Sequence, residues 1–203
     1  MASIYDLKPK FQGLLRPLAR GLAAAGVTAN QVTVAAMLLS GAAGACIACN
    51  PGRRWPLVLV GPVLFVRMAL NAIDGMLARE HDMKSALGAI LNEIGDVAAD
   101  AAIYLPLALV PGFDPALVVA AVVLAIMTEM TGVVGVQIGA SRRYDGPLGK
   151  SDRAFAFGAI SMIVGFGAPA GRWITIVLGV MIALLVLTVL NRGRRALLEL
   201  REP

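Results

Sequence analysis

The sequence predicts an all-α integral membrane protein, with six transmembrane helices preceded by an amphipathic helix lying in the membrane interface. Three observations predict it. The 203 residues are 58% hydrophobic and only 15% charged, with a mean hydropathy of +0.77, whereas a soluble domain is about 45–50% apolar and about 25% charged. Apolar runs near the length that crosses a hydrocarbon core recur along the chain. Lys and Arg fall mostly on one side of those runs. A soluble fold of this size has too little interior to hide so much apolar surface. Disorder and a collagen-like fibre are excluded by the same composition, and a disulfide-stapled secreted domain by the presence of only two cysteines.

The first 25 residues differ from the rest. Ile4, Leu7, Phe11, Leu14, Leu18 and Leu22 recur at three- and four-residue steps, with Lys8, Lys10, Arg16 and Arg20 in the intervals. That pattern predicts an interfacial helix over 1–25, bent at Pro17. Charge interrupts its apolar stretch and no clear cleavage site follows, unlike a signal peptide. Spans are predicted at 29–49, 56–77, 86–109, 116–139, 154–170 and 172–191, the fifth short and rich in Gly. The connections carry turn formers: Asn50-Pro51-Gly52, Pro111-Gly112 through Pro115, Gly146-Pro147, and Pro169 to Gly171. Residues 192–203 read as a tail, so the whole chain is one membrane domain with no internal repeat.

Fourteen Lys and Arg fall on the side of the N-terminus and three (Arg53, Arg54 and Arg172) on the other, with Arg67 inside span two. Both termini are therefore expected in the cytoplasm. The net charge of +5 suits an anionic lipid surface rather than nucleic acid. Cys46 and Cys49 share a helical face in an apolar run and read as small membrane-core residues. His81 reads as a solvated turn residue, the methionines as packing, and Arg192 to Arg201 as a cytoplasmic topology anchor.

Carboxylates inside a bilayer are costly and ask for a reason. Late in span two, Arg67, Asn71, Asp74 and Ala78 lie along one helical face; early in span three, Asn92, Asp96 and Asp100 stack four apart, with Glu93 at the edge. The short turn at 80–85 makes these helices antiparallel neighbours, so their oxygens meet at the cytoplasmic end, as a hard divalent cation such as Mg²⁺ requires. Simple charge pairing is the competing explanation for Arg67, Asp100 and Glu129, with Arg67 against Asp100 or against Glu129 in span four.

The run Asp74-Gly75-x2-Ala78-Arg79-x8-Gly88-x3-Asn92-x3-Asp96 resembles the signature of the CDP-alcohol phosphatidyltransferases, D-x2-D-G-x2-A-R-x8-G-x3-D-x3-D. The interfacial helix, six spans and the Thr28-Ala-Asn30-Gln-Val-Thr33 lead-in to span one are similar to that family too, and the chain looks closest to a bacterial branch with the phrase Asn-Ala-Ile-Asp-Gly-Met-Leu-Ala-Arg. The resemblance implies transfer of a phosphatidyl group from CDP-diacylglycerol to a small alcohol, with or without its own phosphate, releasing CMP. It implies a homodimer at the cytoplasmic face of a bacterial inner membrane, dependent on Mg²⁺ or Mn²⁺. Asp74 would bind metal with Asn71, Asn92 and Asp96. Gly75 and Ala78 would admit the cytidine, Arg79 would hold the nucleotide with Asn30 and Thr33, and Gly88 completes the motif. Asp96 would be the general base.

Asn71 and Asn92 stand where the family has Asp. Glu93 and Asp100 would restore the lost charge from adjacent positions; or the site holds one metal, or metal only with the nucleotide; or activity has been lost and a CDP-lipid-binding role kept. The loop 141–153 has a Gly-Pro-x-Gly-Lys core similar to a family segment in which basic residues attend phosphates, so Arg142, Lys150 and Arg153 are expected on a lipid or acceptor phosphate. The other classes to weigh are the inactive binding protein and a small transporter, the latter suggested by Glu129 and Arg67 deep in the membrane.

Overall fold

A computed structural model describes the backbone of residues 4–201 and the side chains of residues 11–201. The described chain is all-helical. Its elements are α1 (Ile4–Ala24), α2 (Ala29–Cys49), α3 (Trp55–Glu80), α4 (Ala86–Tyr104), a 3₁₀ turn (Leu105–Leu109), α5 (Pro115–Gln137), α6 (Lys150–Gly165) and α7 (Arg172–Glu199). Four of them, α2, α3, α5 and α7, are long and apolar enough to cross a membrane. The sixteen residues of α6 and the nineteen of α4, which carry Glu93, Asp96 and Asp100, fall short of that by length or by charge. Contacts divide the chain into two units: one holds the chain up to Ala42 with Pro62–Ala99, the other Ala43–Gly61 with the chain from Asp100 onward.

Local chemistry sets the helix starts. Thr28 and Gln31 cap α2 reciprocally: the Gln31 N–H donates to Thr28 Oγ1 at 3.3 Å and the Thr28 N–H to Gln31 Oε1 at 2.9 Å. Ser85 caps α4 by accepting from the Gly88 N–H at 3.0 Å. Asp114 caps α5, accepting from Ala116 and Leu117 at 2.9 and 3.2 Å, with Pro115 in the first turn, where no N–H is required.

Three predicted spans change their bounds. The third span is α-helical only to Tyr104, because Pro106 cannot donate and the chain tightens into 3₁₀ geometry. The fifth begins at Lys150 rather than 154, where Asp152 accepts from the Gly149 N–H at 2.8 Å, and it ends at Gly165, ahead of Gly167 at a φ of 110°. The sixth runs on to Glu199, since 192–199 contain good helix formers and no proline, so most of the expected tail is helix.

In the first unit α1 continues through Pro17 without leaving the helix; the side chains of Ile4, Leu7, Lys8 and Lys10, and residues 1–3, lie outside the described residues. The predicted apolar stripe divides. Leu22, with Leu15 and Ala19, packs on Val32, Ile73, Met76 and Leu77, while Phe11 meets Phe65 edge-on at 6.0 Å. Leu14 and Leu18 face outward, 79% and 54% exposed. Arg16 forks onto Glu80 at 3.0 and 3.1 Å, and these hydrogen bonds hold its pKa above the ordinary arginine value.

In the second unit α5 packs on α7; Val118, Ala121, Val122 and Ala125 of α5 and Ile174, Leu178, Met181 and Leu185 of α7 are all buried. Tyr104 stacks on Phe157, ring centroids 4.2 Å apart. Gly44 gives α2 a close approach to α4, for a Cβ there would run into the Ala102 carbonyl. Gly44→Ala should therefore destabilise the protein by about 1–3 kcal/mol, read as a lower midpoint of thermal unfolding in detergent. Gly41→Ala on the same helix, with nothing within 4 Å of its Cβ, should leave the midpoint unchanged or raise it.

Candidate active site

The motif residues of the first unit lie on α2, α3 and α4. The α2 cap fixes Asn30 and Thr33 in its opening turns. The Thr33 hydroxyl donates to Asp74 Oδ2 at 2.8 Å, and Asp74 is only 6% exposed. Asn30 Nδ2 lies 3.5 Å from the capping Ser85 hydroxyl. Gly88 lies where these meet: a Cβ there would stand 2.7 Å from Asn30 Oδ1 and 3.0 Å from Ser85 Oγ, so a larger residue would displace the Asn30 amide. Arg79 folds back over Gly75, whose added Cβ would stand 3.0 Å from the guanidinium.

Asp96 is held from α3. Asn71 Nδ2 donates to its Oδ1 at 3.0 Å; Arg67 Nη2 donates to its backbone carbonyl at 3.0 Å and stands 3.7 Å from Oδ1. Arg67 is buried there, while Asp96 keeps a quarter of its side chain exposed. Asn92 is exposed and Glu93 half-buried. Among the described residues, no group of three or more His, Cys, Asp or Glu forms a metal site. What remains is an all-oxygen set of two carboxylates, Asp74 and Asp96, with the amide oxygens of Asn71 and Asn92. That set fits a hard cation of the Mg²⁺ type, which commonly binds through one or two carboxylates plus substrate phosphate rather than in a complete protein cage.

The second unit carries a different constellation. Glu129, midway along α5, meets three arginines. Arg142 Nη2 donates to its Oε2 at 3.1 Å, Arg153 Nη2 to its Oε1 at 3.0 Å, and Arg192 Nη1 lies 3.5 Å from Oε2. Arg153, in the first turn of α6, is fully buried and also reaches Asp100 at 3.3 Å and the Thr128 hydroxyl at 3.0 Å. Arg192 donates to the carbonyls of Thr128 and Asp145. Arg142 donates to the Arg143 carbonyl at 3.1 Å and lies over the Tyr144 ring, 4.9 Å from its centroid. Gly132, one turn beyond Glu129, leaves the space this guanidinium fills. Beside it Arg143 forks between Asp145 and Glu199 at 2.7 Å each. Burial works against that charge, but the two carboxylates outweigh it and raise the Arg143 pKa.

Glu129 takes positive partners from 142, 153 and 192, which the sequence alone does not name for it. One expectation is corrected. Arg192 is not a solvated topology anchor; it is 1% exposed and inside the cluster. The sequence signal for it was the run Thr188, Arg192, Ala196 at four-residue steps, a small-residue face that packs on a neighbour. Of the residues expected on phosphate, Arg142 and Arg153 are engaged by carboxylates, and Lys150 is the first residue of α6.

The CDP-alcohol phosphatidyltransferase family model matches residues 26–193. This chain belongs to the CDP-alcohol phosphatidyltransferase family. It is 43% identical to the inner membrane protein YnbA of Escherichia coli K12 over 203 residues, covering 98% of this chain and 99% of that one. It is 31% identical to the archaetidylinositol phosphate synthase of Pyrococcus horikoshii over 103 residues, about half of each chain (51% and 52%). Among solved structures it shares its fold with the phosphatidylinositol phosphate synthase PgsA1 of Mycobacterium tuberculosis. The form with CDP-DAG bound superposes with a TM-score of 0.75 at 19% identity, covering 89% of this chain and 92% of that one. The form in complex with manganese and citrate gives 0.74 at 19% identity, covering 89% and 87%.

Within this family member, removing Arg153 would leave Glu129 and Asp100 short of a buried partner, a change that costs about 3–5 kcal/mol. Arg153→Ala should lower the unfolding midpoint sharply, and Arg153→Lys should recover only part of the loss, because an ammonium cannot span both carboxylates as the guanidinium does.

Proposed function

We propose that the protein transfers the phosphatidyl group of CDP-diacylglycerol to a small alcohol and releases CMP, at the cytoplasmic face of a bacterial inner membrane. The observation that carries this is the Asp74-Gly75-x2-Ala78-Arg79 run on α3 with Asp96 of α4 held by Asn71 and Arg67, in a chain whose family performs that chemistry. Six spans, an α1 lying in the interface with Leu14 and Leu18 toward lipid, both termini in the cytoplasm and a homodimer complete the arrangement; its support is the charge bias and the family resemblance.

Asp74 and Asp96, with the amide oxygens of Asn71 and Asn92, would hold Mg²⁺ or Mn²⁺ together with the nucleotide diphosphate. When bound, the cation neutralises the diphosphate and stabilises the departing CMP. Thr33 keeps the Asp74 carboxylate oriented by donating to one oxygen. Arg79 and Asn30 bind the nucleotide, and Gly75 and Ala78 leave it room. Asp96 accepts the proton of the incoming hydroxyl, whose oxygen bonds to the lipid-bearing phosphorus as the bond to CMP breaks. The hydrogen bond from Asn71 Nδ2 and the nearby Arg67 guanidinium hold the Asp96 carboxylate in position for that step.

The test is CMP release from CDP-diacylglycerol by purified protein in detergent, with Mg²⁺ or Mn²⁺ and a panel of alcohols. Acceptor-dependent release is expected, abolished by EDTA. Asp96→Asn should lower it by about 10²–10⁴-fold, the usual worth of a general base. CDP-lipid binding without release for any acceptor would instead mark a binding protein disabled by Asn71 and Asn92. Glu93→Gln and Asp100→Asn test the surrogate ligands: a raised requirement for metal is expected of whichever one serves, and unchanged metal dependence in both removes that role.

A further inference from the structure

We infer that the C-terminal end of α7 holds a site for one anionic phospholipid, its phosphodiester between Arg194 and Arg195 and an acyl chain along the exposed stripe of the same helix; this does not depend on the transferase function proposed above. Asn191, Arg194, Arg195 and Leu198 fall on one side of α7. With Glu199 and with Arg143 of the loop before α6 they line a cavity of about 400 Å³. Toward the middle of the helix, Ile176, Val180, Leu187 and Leu190 continue that side at steps that lead onto Arg194, each more than half exposed. The cavity therefore lies at the polar end of an apolar strip, which is how a phospholipid is itself divided between head group and chains.

Two arginines of this end keep donors to offer. Arg142, Arg143, Arg153 and Arg192 are each engaged by carboxylates of the chain. Arg194 is exposed and makes no hydrogen bond or ion pair among the described residues. Arg195, 60% exposed, reaches only Asp145, at 4.0 Å. Glu199, one turn on, stands where a helix ordinarily pairs an arginine. It accepts instead from the Ser141 N–H and hydroxyl and from Arg143, at 2.9, 2.8 and 2.7 Å. The loop thus draws away the carboxylate that would close over Arg195, and the cavity stays open. Arg143, Arg194 and Arg195 face two carboxylates, Asp145 and Glu199, which leaves one positive charge over. A phosphodiester carries one negative charge and offers two oxygens to the paired guanidiniums. A polyol head group gives the Asn191 amide hydroxyls to bind, whereas the ammonium of a zwitterionic lipid would be repelled.

The test is the unfolding midpoint of the full chain in a neutral detergent, with phosphatidylglycerol or phosphatidylethanolamine mixed into the micelles. Phosphatidylglycerol should raise the wild-type midpoint by about 4–8 °C, and phosphatidylethanolamine should not. Replacing both Arg194→Gln and Arg195→Gln should abolish the rise while leaving the midpoint in plain detergent unchanged, since both side chains are exposed. Should that double variant fail to fold, each single substitution carries the comparison and should lose about half the rise. Arg201→Gln, an exposed charge outside the cavity lining, should keep all of it. Loss of the rise in Arg201→Gln as well marks attraction to net charge rather than a site and overturns the inference. An equal rise with glycerophosphoglycerol, the head group without its chains, marks a site for soluble phosphates and overturns it too. Native mass spectrometry should find one phosphatidylglycerol retained per wild-type chain and none on the double variant. No lipid on wild type, with a smaller oligomer in the double variant, would give this side of α7 to a second copy of the chain instead.

Discussion

A charge buried among apolar helices has to be answered by another charge or by hydrogen bonds, because an isolated ion in such surroundings costs several kcal/mol. That constraint organises this protein. Asp74 is met by the Thr33 hydroxyl and Asp96 by Asn71 and Arg67, so the acids of α3 and α4 join α2, α3 and α4. Glu129 and Asp100 are met by arginines from elements far apart in sequence, so the acids of α4 and α5 join α6, α7 and the preceding loop. Helix packing supplies the area; the polar pairs fix which face of each helix turns inward, since any rotation strands a charge.

Small residues make these pairs possible. Gly132 clears space for a guanidinium, Gly88 brings Asn30 and the α4 cap together, and Gly75 lies under Arg79. In each case a polar side chain uses the volume a methyl group would have taken. A glycine in a membrane helix gives up packing, and here what replaces that packing is a hydrogen-bonding group placed where it is used.

Composition and periodicity made the helical class, the positions of the apolar helices and the motif residues on α3 and α4 legible in sequence, because hydropathy and spacing are local properties. The partners of Glu129 were not legible. Arg67 was the nearest positive residue inside a predicted span, whereas Arg142, Arg153 and Arg192 sit where a charge count treats them as solvated ends. Their burial depends on α6 starting at Lys150 and α7 running on past Asn191. Helix ends are set by capping and by residues such as Asp152, which a hydropathy window averages away. The asparagines at 71 and 92 were visible at once, but only the coordinates showed that Asn71 presents its nitrogen to Asp96.

The brevity of α6 has a consequence for the lipid around it. Sixteen residues rise about 24 Å, roughly one helical turn less than a hydrocarbon core of about 30 Å. In the proposed six-span arrangement the bilayer beside this helix has to pinch inward to meet its ends. Such a dimple carries head groups and water toward Lys150 and the first turn that holds Arg153, and so reduces the depth at which the charged cluster must be kept dry. The short helix would make the membrane thin where the protein is most polar.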